Sequence, residues 1–223
     1  KIPILVGGTG LYFSALLNGL SSIPAISRKT RQESEQLKKK FPQNFLNELK
    51  INDYETYENI DKQNIVRVQR AWEVLTETGY GLSYWQKNRK TPLIKVTDCQ
   101  RYIISCDKSI LDANILYRTQ KMFTQGVDEE VNKILNSNYL NSPTHPAHKA
   151  IGFSEVSRYL NGENTLEQAI DMINLKTRQY AKKQRTWFRN QMSTWQVLKI
   201  SKDLDLTKIV EHIDKKIQSE FKP

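Results

Sequence analysis

The first ten residues constrain the fold more than any other stretch. Lys1-Ile2-Pro3-Ile4-Leu5-Val6 is a short apolar run that ends on Gly7-Gly8-Thr9-Gly10. It predicts a buried strand over residues 2–6, followed by a helix over residues 11–17 that Gly19 terminates. Strand, glycine loop and helix together open many α/β proteins that handle phosphate. The glycines let backbone amides approach an anion, and Thr9 adds a hydroxyl at the end of the strand. The loop lacks the Lys-Ser/Thr ending of a P-loop, so it is not the main nucleotide cradle. A tight strand-to-helix turn would explain the glycines equally well. A domain rarely opens on a buried central strand, so a further segment is expected upstream.

The next stretch differs in character. Residues 27–94 are polar and mostly helical in pattern, and they read as an inserted helical subdomain that interrupts an α/β core of residues 1–26 and 95–223. Residues 30–41 are strongly charged and end at Pro42. Phe45, Leu46 and Leu49 suggest a second short helix. Ile65, Val68, Ala71, Trp72 and Leu75 recur at helical spacing within residues 64–76, before Gly79 and Gly81. Beyond the insertion, residues 101–106 predict a strand, residues 109–124 a helix reaching Gly126, and residues 128–136 another. Residues 138–149 form a loop rich in Asn, Pro and His. Ile151-Gly152-Phe153 leads a helix ending at Gly162. Thr165-Leu166-Glu167-Gln168 has the form of a capping box and opens a long helix to Met192. From Asp203 the tail predicts a short strand-to-helix ending.

Charge narrows the partners. The 223 residues carry 34 Lys and Arg against 24 Asp and Glu, a net charge of +10. That favours a polyanion: nucleic acid, a phosphorylated substrate or an anionic membrane surface. No apolar run approaches the length of a membrane span. Cys99 and Cys106 are too few for a disulfide framework, and with His145 and His148 they match no common zinc-finger spacing. A reducing cytoplasm is the default.

The long C-terminal helix carries the strongest functional pattern. No acidic residue lies between Asp171 and Asp203. Arg178, Lys182, Arg185 and Arg189 fall at i, i+4, i+7 and i+11, along one helix face, with Trp187 and Phe188 interleaved. Such a face suits a phosphate backbone. A solvated basic face would look similar, although such faces usually mix signs. No Ser-His-Asp set and no paired carboxylates flank the glycine loop. His145, His148 and His212 read as loop or surface residues, so no general base stands out.

Four stretches together resemble one family. They are Pro3-Ile4-Leu5-Val6-Gly7-Gly8-Thr9-Gly10-Leu11-Tyr12, Val66-Arg67-Val68-Gln69-Arg70-Ala71-Trp72-Glu73-Val74, Ala150-Ile151-Gly152-Phe153-Ser154-Glu155, and the run from Lys176 through Thr177 and Arg178 to Arg189. Their order and spacing resemble bacterial tRNA dimethylallyltransferases over nearly the whole chain. The resemblance implies an α/β, P-loop kinase-like parallel sheet core with a mostly helical insertion. It also implies transfer of a dimethylallyl group from dimethylallyl diphosphate to N6 of adenosine 37, with Mg²⁺ assisting and the base flipped from the anticodon loop.

Residue by residue, the resemblance puts Thr9 near the reacting amine and the departing oxygen, and Arg178 on the diphosphate. Gly7, Gly8 and Gly10 form the diphosphate loop. Thr9, Arg31, Arg67, Lys182, Lys183, Gln184, Arg185, Thr186, Trp187, Phe188 and Arg189 match positions that contact tRNA. Gln184 suits a base edge, because its amide both donates and accepts. The chain departs from the family in lacking its P-loop and the Asp that follows as general base. Both are expected upstream of Lys1, so little catalysis is expected of this chain alone. Phe153 and Ser154 stand where many relatives carry Tyr and Lys. The implied protein is a cytoplasmic monomer without membrane contact. Three alternatives remain: a prenyltransferase acting on free AMP, a non-catalytic RNA-binding module, and a P-loop kinase relative.

Overall fold

Helical segments separated by short polar stops dominate the molecule, and a computed structural model describes residues 2–137, 145–201 and 206–220. The chain divides into two units: Leu11–Cys99, and Lys1–Gly10 with Gln100–Pro223.

The unit from Leu11 to Cys99 is helical. Helix α1 (Gly10–Asn18) supplies all but its first residue to this unit, and α2 (Arg28–Lys40), α3 (Gln43–Asn52), α4 (Tyr54–Asn59), α5 (Ile65–Thr78) and α6 (Leu82–Lys87) follow. Side-chain caps set the starts. Ser27 accepts the Thr30 amide and Asn64 accepts the Arg67 amide, satisfying N–H groups that a helix start leaves open. The apolar spacing read in the sequence becomes a core of Phe45, Leu49, Val68, Ala71 and Trp72. The rings of Phe45 and Trp72 lie 5.3 Å apart, and the Trp72 indole N–H donates to Glu48 Oε2 at 2.6 Å.

The entering and leaving ends of this unit run side by side. The amides of Leu93 and Ile94 donate to the Leu16 carbonyl, and the Lys90 amide donates to the Leu20 carbonyl. Gly19 sits at φ +72°, and a Cβ there would lie 1.9 Å from the Lys90 carbonyl oxygen. Only glycine fits that turn.

The other unit holds β1 (Tyr102–Cys106), α7 (Lys108–Thr124), α8 (Val127–Leu135), α9 (Phe153–Leu160), α10 (Leu166–Gln191), β2 (Gln196–Ile200) and α11 (Leu206–Glu220). Strands β1 and β2 pair in parallel, from Tyr102 opposite Gln196 to Cys106 opposite Ile200. Val131, Phe153, Val156 and Ile173 form the core where α8, α9 and α10 meet. The capping box forms as read: Thr165 Oγ1 accepts the Gln168 amide and Gln168 Oε1 accepts the Thr165 amide.

Two sequence readings need correction. Residues 2–6 form no strand; Ile4, Leu5 and Val6 are 78%, 59% and 88% exposed. A strand exists only when its amides and carbonyls pair with a neighbour. Among the described residues, the one named sheet is the β1–β2 pair. The partner of β1 is β2, which the sequence reading passed over in favour of a strand near Asp203. Residues 202–205, and residues 138–144 of the Asn- and Pro-rich loop, lie outside the described residues.

Candidate functional site

The glycine loop lies against α10. Gly10 is buried, and a Cβ on it would fall 1.8 Å from the Trp187 ring. A Cβ on Gly8 would fall 2.3 Å from Gln184 Nε2, which donates to the Gly8 carbonyl at 3.2 Å. Gly10 is therefore needed for close approach of backbone to the Trp187 ring, whereas at Gly8 the flexible end of Gln184 can yield. Thr9 stands between them, exposed. The structure thus brings together Gly8, Thr9, Gly10, Gln184 and Trp187, all singled out from the sequence. Gly7 is open, with nothing near its Cα that a side chain would meet.

The rest of α10 divides by face. At about 100° per residue, Arg178, Lys182, Arg185 and Arg189 fall within about 60° of one another around the axis. Gln184 and Trp187 lie between about 100° and 180° away from that stripe. The loop and the four-cation stripe therefore occupy different sides of one helix, and Arg178 is not on the side that packs on Thr9's loop. Between them runs a shallow concavity of about 500 Å³, lined by Gln179, Lys182, Lys183, Thr186, Trp187, Asn190 and Gln191. Phe188 is half-buried and meets Trp187 edge-on at 5.4 Å.

Electrostatics distinguish this helix from the others. Arg178, Lys182, Lys183, Arg185 and Arg189 are all exposed, and none makes an ion pair among the described residues. Elsewhere, exposed lysines such as Lys29 and Lys108 pair with a carboxylate four residues away on the same helix, and Lys62, in the turn after α4, pairs with Glu58. Like charges at this spacing repel, so a bound polyanion would relieve the helix as well as attract to it.

Arg31 and Arg67 lie in the helical unit, exposed on α2 and α5. Polar bonds fix how these two helices meet. Ser34 Oγ donates to Glu73 Oε1 at 2.7 Å, and Gln69 Nε2 donates to Ser34 Oγ and to Glu35 Oε1, each at 2.9 Å. Thr30 and Ser27 hydroxyls donate to Glu77 Oε2 at 2.5 and 2.9 Å. The Gln69 bond holds the Glu35 carboxyl below its ordinary range, against the opposing effect of burial. The Thr30 and then Ser27 bonds do the same for Glu77. Burial pushes the Asp53 carboxyl up, but bonds from Ser83 and Thr56 together outweigh it and the net shift is downward.

Reading from sequence named Glu155 only within a family stretch and gave it no role; it is the buried carboxylate of α9 that holds Lys176 of α10. The Gly152-x-x-Glu155 spacing was the available signal, since a Glu three residues into a helix can accept the amide at its start. Among the described residues, no three His, Cys, Asp or Glu side chains gather as a metal site, and no helix is long and apolar enough to cross a membrane.

Comparison with known proteins gives this geometry a family. The model of the IPP transferase family matches residues 1–191. A tRNA dimethylallyltransferase of Ruegeria sp. (strain TM1040) is 43% identical over 197 residues, which cover 88% of this chain and 65% of that one. A tRNA dimethylallyltransferase of Roseobacter denitrificans is 42% identical over 193 residues, covering 86% and 66%. The chain thus spans just under two thirds of the length of these relatives. The full-length tRNA isopentenylpyrophosphate transferase of Bacillus halodurans superposes with a TM-score of 0.57 at 26% identity, over 95% of this chain and 64% of that one. A eukaryotic dimethylallyltransferase solved acting on tRNA shares the fold, with a TM-score of 0.76 at 24% identity over 98% of this chain and 57% of its own. From the glycine loop to the end of the basic helix, this chain belongs to the IPP transferase family.

Proposed function

We propose that the protein transfers a dimethylallyl group from dimethylallyl diphosphate to N6 of adenosine 37 in tRNA. The carbon–oxygen bond to diphosphate breaks, the N6–carbon bond forms, and one N6 proton leaves to a base. The observation that carries this reading is the glycine loop lodged on a helix that also holds five exposed cations without an ion pair among the described residues. It is supported by the family and by relatives named for this activity.

Each part of the reaction asks for a group of this kind. Expelled diphosphate needs cationic and amide donors where its charge develops. The loop amides and Arg178 are candidates, Arg178 reaching the anion from its own side of α10. The Thr9 hydroxyl can donate to the departing oxygen or accept from the amine. Lys182, Lys183, Arg185 and Arg189 would track RNA phosphates, while Arg31 and Arg67 would add contacts from the helical unit. Gln184 and Trp187 would face the flipped base, one by hydrogen bonding and one by stacking. The described residues do not form a Mg²⁺ site of their own. Mg²⁺ enters the proposal only as the counter-ion carried by the diphosphate, and no step depends on it. A monomer acting in the cytoplasm completes the reading.

The test is prenylation of a synthetic anticodon stem-loop bearing adenosine 37, with dimethylallyl diphosphate and Mg²⁺, read by mass spectrometry. It should use the longest reading frame that contains this chain. One dimethylallyl group on that adenosine is expected, and Thr9→Ala should lower the chemical rate about a hundredfold while changing RNA affinity less. No product from a folded protein that binds the RNA would favour a non-catalytic RNA-binding module. Product on free AMP but not on the stem-loop would move the substrate to the mononucleotide.

A further inference from the structure

Helix α10 is fastened to α7 and α9 along one turn, and further on it meets the glycine loop on one side while its cation stripe stays exposed. Ile173 packs into the core with Phe153 and Val156. Beside it, Asn174 is buried and its Oδ1 accepts the Thr119 hydroxyl of α7 at 2.7 Å. Two positions further on, Lys176 donates to Glu155 Oε1, and the other oxygen of that carboxylate accepts the Gly152 amide at 3.1 Å. Glu155's side chain is only 5% exposed, while that of Lys176 is 44% exposed. A carboxylate that deep is costly unless charge-assisted bonds compensate, and here one oxygen takes a cation and the other a backbone N–H.

The direction of Lys176 matters more than its charge. It lies roughly 120–180° around the axis from Arg178, Lys182, Arg185 and Arg189. It therefore adds nothing to the phosphate-tracking stripe and instead pulls the helix from behind. We infer that Glu155 is a positioning residue: through Lys176 it fixes the rotation of α10 and so aims the cation stripe and the Gln184–Trp187 side at their ligands. Glu155 touches no substrate in this arrangement. The inference rests on the RNA-binding reading of α10 proposed above.

The sign of one substitution separates positioning from charge. Glu155→Gln keeps a neutral acceptor for the Gly152 amide, removes one negative charge and frees one lysine. By charge alone it should tighten RNA binding and steepen its salt dependence. If Glu155 positions the helix, affinity for the anticodon stem-loop should fall about tenfold and the log–log salt slope should shrink by about one, because fewer cations meet phosphates together. Lys176→Met, which keeps the apolar stem, should give the same fall from the exposed side of the pair, and it remains informative should Glu155→Gln lose cooperative unfolding. The double variant should be no worse than either single one. Unchanged or tighter binding in Glu155→Gln, wild-type binding in Lys176→Met, or additive losses in the double variant would each overturn the inference. Failure of the wild-type protein to bind the stem-loop at low salt would instead sink the reading of α10 as an RNA surface, and the positioning role with it.

Discussion

Helices α5 and α10 start alike and end differently. Each opens on a side-chain cap, Asn64 or Thr165, and each was legible as an amphipathic run. Over 14 residues α5 buries Val68, Gln69, Ala71, Trp72 and Val74, across the middle half of its length. Over 26 residues α10 buries Ala169, Ile173 and Asn174, all in its first three turns. Polar side chains of α5 are tied to α2 and α3 through Gln69, Glu73, Glu77 and Trp72. Of the cations of α10, Lys176 is tied to Glu155, and Arg178, Lys182, Lys183, Arg185 and Arg189 make no ion pair among the described residues. One helix is held for most of its length, while the other is anchored near its start, meets the glycine loop through Gln184 and Trp187, and presents its cation stripe. A helix that must present charge to a ligand gives up the partners that would stabilise it, which is why its anchoring turn carries the weight.

Trp72→Ala is the strongest way to break this contrast. It removes a large ring from the α3–α5 core and leaves Glu48 without its indole donor. A loss of about 3–5 kcal/mol is expected in denaturant unfolding. The half-buried Trp187 should lose clearly less on the same substitution. Equal losses would mean that the second half of α10 is as much scaffold as α5.

Gly10→Ala comes next. Its methyl would meet the Trp187 ring well inside contact distance, so the ring or the loop must move. Overpacking of this kind costs about 1–3 kcal/mol. The Trp187 indole should shift in its environment, seen by NMR of the indole N–H. An unmoved indole would show that the loop yields instead and that the helix face is the more rigid of the two.

Acid sharpens the comparison with a smaller effect. Glu35, Glu77 and Asp53 all belong to the helical unit, and all have carboxyl pKa values below their ordinary range. A group depressed on folding contributes its full stability above the unfolded-state pKa and loses it as pH falls through the folded one. The helical unit should therefore weaken as pH drops from the ordinary carboxylate range downward, with no comparable change above it. Thr30→Val removes the first donor to Glu77 and should flatten that dependence, measured as thermal midpoint against pH. An identical slope in the variant would take the Thr30–Glu77 bond out of the account.

Sequence reading succeeded where information is local and failed where it is not. The α5 and α10 runs, the Thr165–Gln168 capping box and the stop at Gly19 follow from residues within a few positions of each other. The cation stripe follows from helical spacing alone. The strand expected at residues 2–6 failed because an apolar run does not specify its neighbour. Strand β2 was passed over because Gln196-Val197-Leu198-Lys199-Ile200 is short and follows a helix, and only pairing with β1 makes it a strand. At the site, the glycines were visible but their reason was not. Gly8 and Gly10 read as an anion loop, whereas their close partners are Gln184 and Trp187, more than 170 positions on. The Glu155–Lys176 bond joins residues 21 positions apart on separate helices, which no periodicity reports.

Arg185→Ala has the smallest effect on stability and draws the contrast most finely. Arg185 is exposed and makes no ion pair among the described residues, so its loss should change unfolding by no more than about 0.5 kcal/mol. Its effect should fall on binding. Losing one phosphate contact reduces the log–log salt slope of RNA affinity by about one unit, and it does so for any stem-loop sequence, because phosphates carry no base identity. Gln184→Ala should do the opposite, leaving the slope unchanged while weakening discrimination at the base it meets. If Arg185→Ala leaves the slope unchanged, the stripe is a solvated face and the ligand lies on the glycine-loop side of α10. If both variants change the slope, the two sides of the helix act as one surface, and the division of labour along and around α10 gives way to a single continuous groove.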